Sequence, residues 1–101
     1  MIGYKLFHKR KDGSYGPLFI NRKQRLLLQN YYKAEDHPTK GYAHRPGWHL
    51  CKKAVAPHLS LKNRVWVKVW YDPDTAETFK RPDSQGGEWI LAKEIRLLSE
   101  V

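Results

Sequence analysis

Cysteine is almost missing from this chain of 101 residues: Cys51 stands alone, so no intramolecular disulfide can form. Nor does the opening Met1-Ile2-Gly3-Tyr4-Lys5 contain the apolar run of a signal peptide. No stretch approaches the roughly 18–20 apolar residues needed to cross a bilayer. A reducing, cytoplasmic setting is the expectation, with no membrane partner. Catalytic signatures are missing too. There is no nucleophile elbow, Walker loop, dinucleotide fingerprint, HExxH or suggestively spaced carboxylate pair, so an enzyme is not the favoured reading and no cofactor is expected. Gly86-Gly87 and Asp83-Ser84 read as turn residues, because a phosphate cradle needs more glycine and a following helix N-terminus.

Acidic side chains are scarce: ten Asp and Glu face nineteen Lys and Arg, for a formal charge of +9. The excess is uneven. Residues 1–33 hold eight basic and one acidic side chain, 34–64 six and two, and 65–101 five and seven. Such asymmetry favours a directed basic surface facing a polyanion over a diffuse field. What is abundant is aromatic: four Trp, six Tyr and three Phe against one Met. Large rings, each burying about 150–250 Å², let a single small domain over residues 1–101 close a core.

Along the chain, residues 4–11 read as a strand, Asp12-Gly13 as a hairpin turn, and residues 15–20 as the returning strand with Pro17 at an edge or bulge. The basic run Lys9-Arg10-Lys11 falls at the hairpin tip, and residues 21–25 form a second basic turn. Leu26-Leu27-Leu28 and Tyr31-Tyr32 fit strand or helix equally. Residues 35–48, rich in His, Pro and Gly, predict a long loop of the kind that is often functional. A short helix is expected from Cys51 towards Leu59, with Pro57 limiting it. Residues 64–71 alternate clearly, with Val65, Val67, Val69 and Tyr71 on one face and Trp66, Lys68 and Trp70 on the other. Asp72-Pro73-Asp74 turns that strand, and strand is favoured for the first half of residues 88–98. These signals add up to an α+β fold: a β-rich, curved antiparallel sheet with an N-terminal hairpin and one or two short helices.

Two indoles flanking an ammonium on one strand face is a pattern that stacks on bases while contacting phosphate. The competing reading makes Trp66 and Trp70 a hydrophobic layer under a helix, with Lys68 snorkelling out. His44, His49, Cys51 and His58, with His37 nearby, are of metal-ligating type, but their intervals of five, two and seven match no standard zinc pattern, so no metal site is expected.

Gly41-Tyr42-Ala43-His44-Arg45-Pro46-Gly47-Trp48-His49, with Ala56-Pro57-His58 and residues 81–89, resembles segments of small uncharacterised proteins of bacteriophages and mobile elements. The resemblance covers most of the chain and implies a phage accessory protein in a bacterial host, a class that includes inhibitors of host defence such as anti-CRISPR proteins. A fainter resemblance is to minimal ADP-ribosyltransferase-like domains, with residues 4–7, Gly47-Trp48-His49 and Glu88-Trp89 at the matching places. It implies a nucleotide cleft near His44, Arg45, Trp48, His49 and Glu88. The leading expectation is a non-catalytic module that engages nucleic acid or a host nucleoprotein. Lys9, Arg10, Lys11, Arg22, Lys23 and Arg25 would contact phosphate, and Trp66, Lys68 and Trp70 would form a stacking platform.

Overall fold

Residues 64–71 do form the strand their alternation predicts, and it lies in the middle of the sheet. The structure, a computed structural model, describes residues 1–17, 24–34, 47–55, 59–85 and 87–101. Eight strands follow in chain order: β1 (Ile2–Lys9), β2 (Tyr15–Gly16), β3 (Tyr31–Lys33), β4 (Trp48–Cys51), β5 (Arg64–Tyr71), β6 (Glu77–Lys80), β7 (Glu88–Ala92) and β8 (Glu94–Glu100). All pairings are antiparallel, in the order β3-β8-β5-β1-β4-β7-β6, and β2 attaches to β1. The sheet is not closed; β3 and β6 are its edges.

The connectivity forces the sheet to roll. Only Lys93 separates β7 from β8, so their ends lie within about 7 Å of each other. Yet β5, β1 and β4 stand between them in the sheet, which is about 19 Å if flat. Curling reconciles the two distances, and the near-equal extents of 34 × 29 × 28 Å are those of a roll. The concave side holds the main core: Phe7, Leu50, Val67, Val69, Ile90, Ile95 and Leu97, with Tyr15, Leu26 and Trp48. Gly47, at φ +136°, lets the chain enter β4. A Cβ there would lie 2.8 Å from Leu91 Cγ and 3.2 Å from the Ala92 carbonyl oxygen.

β1 is held along one edge by β5, through seven register pairs from Ile2↔Trp70 to His8↔Arg64. Its other edge is shared between β4, at Tyr4↔Cys51, and β2, at His8↔Gly16 and Lys9↔Tyr15. Lys5 fills the fork: its Nζ donates to the His49 carbonyl at 3.1 Å and lies 5.7 and 5.9 Å from the Phe7 and Trp48 ring centres. Burial pushes this lysine down to about 8.

The N-terminal hairpin forms, with Arg10–Ser14 as its loop: Arg10 N donates to Ser14 O and Gly13 N to Arg10 O. The helix expected from Cys51 towards Leu59 is not found among the described residues, which leave out 56–58. Among the described residues there is no α-helix, only one 3-10 turn at Asp83–Gln85. Leu50 and Cys51 explain the correction after Trp48, because they bury on opposite sides, Leu50 in the main core and Cys51 against Trp89. That is a strand's period of two, and β7 pairs with it. Residues 88–98, expected as strand in their first half, are strand on both sides of the Lys93 corner. No described helix is long and apolar enough to cross a membrane.

Candidate nucleic-acid interface

The convex face exposes Ile2, Tyr31 and Lys68 at one end, and the ladder registers fix what it carries. Trp70 pairs with Ile2 on one side and Arg96 on the other, and Arg96 pairs with Tyr31. A row of four strands thus presents Ile2, Trp70, Arg96 and Tyr31 side by side. Ile2 is 45% and Tyr31 57% exposed. The Tyr31 and Trp70 rings meet edge-on, 5.9 Å between centres at 80°, and the Arg96 guanidinium carbon lies 5.2 Å from the Tyr31 ring centre. Arg96 Nε also donates to the Gln29 carbonyl at 3.3 Å, which holds the guanidinium in place.

The next row runs from exposed Lys68 through Tyr4 and Cys51 to Trp89 and Phe79. Beyond it, Leu6 pairs with Trp66. Here the face thickens into a small cluster: Leu59, Trp66 and Phe79 pack partly buried against Cys51 and Trp89. Trp89 Nε1 donates to the Gln85 carbonyl at 2.6 Å, and the Arg81 guanidinium covers the ring at 5.1 Å. The three residues expected to form a platform therefore share one face, with different settings. Trp66 is packed into the cluster, Trp70 is flanked by Tyr31, and the Lys68 ammonium between them makes no ion pair among the described residues. A helix over them, the competing expectation, is not found among the described residues.

The basic rim is largely committed internally. Lys9 Nζ meets Glu100 Oε1 at 2.7 Å and the Tyr15 hydroxyl at 3.2 Å, and that hydroxyl donates to Glu100 at 2.9 Å. The hydrogen bond with Lys9 lowers the Glu100 carboxyl's pKa, and the same contact raises that of Lys9. Arg10 Nη2 donates to the Gln24 carbonyl at 3.1 Å while its guanidinium lies over Gly16, where any Cβ would collide with it. Arg25 pairs with Asp12, whose carboxyl is held low by its hydrogen bond from the Ser14 hydroxyl. Lys11 is exposed. Arg22 and Lys23 lie outside the described residues.

The alternative cleft is not assembled by the residues that are described. Trp48 is buried in the concave core with its Nε1 donating to the Tyr32 carbonyl at 3.1 Å, whereas His49 lies on the convex side, 5.7 Å from Phe79. Glu88 pairs with Lys52 at 2.9 Å beside a shallow depression lined by Lys53, Val55 and Asp83. His44 and Arg45 lie outside the described residues, as do His37 and His58. Among the described residues no three His, Cys, Asp or Glu side chains converge. Burial raises the Cys51 thiol to about 11, so it stays protonated and poorly nucleophilic near neutrality.

Sequence reasoning missed Tyr31, Arg96, Tyr4 and Ile2. Each joins the face through a ladder between strands distant in the chain, and nothing local signals that β3 lies beside β8 or β1 beside β5. No known protein family, no curated protein and no solved structure matches this chain.

Proposed function

We propose that this protein is a non-catalytic binding module that engages nucleic acid through the convex face of its sheet. The observation that carries the reading is the row Ile2–Trp70–Arg96–Tyr31 beside Lys68. Exposed Tyr31 and half-buried Trp70 interleave there with half-buried Arg96 and exposed Lys68 on one sheet face. Rings offer stacking surfaces to bases, and Lys68 and Arg96 offer charge to the phosphates between them. The overall charge of +9 draws any polyanion towards the molecule. A phage or prophage accessory protein that occupies a nucleic-acid groove of a host defence nucleoprotein would use the same chemistry.

The test is affinity for oligonucleotides over a series of salt concentrations. The reading expects binding that weakens steeply with salt, because each neutralised phosphate releases condensed counterions. Absence of binding at low salt would remove it.

A further inference from the structure

We infer that the ligand of the convex face is a single strand with unpaired bases, and that a duplex is a poor ligand. This rests on the proposed nucleic-acid reading. Duplexes are read by an element that enters a groove, or gripped by an array of phosphate-binding cations. At the Arg10–Ser14 loop Lys9 is paired with Glu100, Arg10 bonds the Gln24 carbonyl and Arg25 is paired with Asp12, which leaves Lys11 as the exposed cation without such a contact among the described residues of this loop. What remains outward on the convex face are rings, and a duplex hides the base faces that rings require.

The spacing suits an open strand. Trp66 and Trp70 are four residues apart on β5, about 14 Å along the strand, with Lys68 about 7 Å from each. Bases stacked continuously would repeat at about 3.4 Å, so two bases on these two indoles must be splayed, with backbone passing over Lys68. At the Trp70 end, the perpendicular Tyr31 ring makes a corner in which a base lying flat on one ring meets the edge of the other. Arg96 stands beside that corner for a phosphate. Sheets with aromatic faces hold two or three bases in this way.

The experiment is fluorescence polarisation at low salt with three labelled probes: oligothymidylate and oligouridylate of about a dozen nucleotides, and a duplex of the same length. Each is titrated with the wild type, Trp70→Ala and Tyr31→Ala. The expected result is that both single strands bind and that the duplex binds at least about tenfold more weakly than either. Trp70→Ala and Tyr31→Ala should each lose roughly 5- to 150-fold on the single strands, as removal of a stacking ring does. Tyr31 is exposed and outside the core, so its variant keeps the test valid if Trp70→Ala unfolds. Duplex binding equal to or tighter than single-strand binding, or single-strand affinity untouched by Tyr31→Ala, overturns the inference while leaving nucleic-acid binding intact. No binding of any probe would instead sink the underlying reading.

Discussion

Lys5 gives the fold an unusual dependence on pH. Its ammonium is held between β1 and β4 with the Phe7 and Trp48 rings nearby, and burial lowers it from 10.5 to about 8. The folded state therefore binds fewer protons than the unfolded state between about pH 8 and 10.5, so stability rises with pH there, by up to about 1.4 kcal/mol per unit. Cys51 acts in the opposite sense. Its thiol, raised from 9.0 to about 11, keeps its proton in the fold while the unfolded chain loses it, and stability falls over that range. The two nearly cancel above pH 9, which leaves a rise of about 1 kcal/mol between pH 8 and 9. Lys5→Met removes the rise. Near neutral pH the substitution is relieved of the charge burial, on the order of 3 kcal/mol, and forfeits the bond to the His49 carbonyl, at about 1 kcal/mol. Urea unfolding of both proteins at intervals from pH 7 to about 9 measures the difference directly. A variant less stable than the wild type at pH 7, or a stability difference that stays constant across the window, would refute the reasoning.

The two convex-face tryptophans should separate by stability. Trp66→Ala should cost about 3 kcal/mol, because it opens the cluster with Cys51 and Trp89, while Trp70→Ala should cost about 1 kcal/mol through its lost edge contact with Tyr31; thermal or urea melts decide. Gly47→Ala should destabilise by about 2 kcal/mol, since φ +136° strains any side chain and the new Cβ meets Leu91 and the Ala92 carbonyl; equal stability would mean that the entry to β4 relaxes freely. Replacing Lys9, Arg10 and Lys11 together should reduce the salt slope of binding by no more than about one unit, because Lys9 is paired with Glu100 and Arg10 is bonded to the Gln24 carbonyl. A drop of about three units would return the contact surface to the hairpin.

Local periodicity made part of this fold legible. The alternation of Val65, Val67, Val69 and Tyr71 against Trp66, Lys68 and Trp70 assigned both faces of β5, and Asp12-Gly13 located the hairpin. The roll was not legible, because it is set by which distant strands pair and by the single residue between β7 and β8. The helix expected from Cys51 towards Leu59 fails at its first residue for a related reason. Cys51 is placed by its partner Trp89, thirty-eight positions away, and tertiary pairing overrides a local reading. Charge misled in the same way. Lys9 and Arg25 are basic in sequence, but Glu100 and Asp12 consume them, and the Lys9 partner lies at the far end of the chain.

The indole N–H resonances report on the central claim most directly, because four tryptophans sample both sides of the sheet. Titrating oligothymidylate into labelled protein should shift the Trp70 and Trp66 indole signals, with Tyr31 and Arg96 backbone amides following. Trp48, whose Nε1 is bonded to the Tyr32 carbonyl in the concave core, should stay in place. Shifts confined to the Arg10–Ser14 loop and its flanks, with the Trp70 and Trp66 indoles unmoved, would contradict the assignment of the convex face.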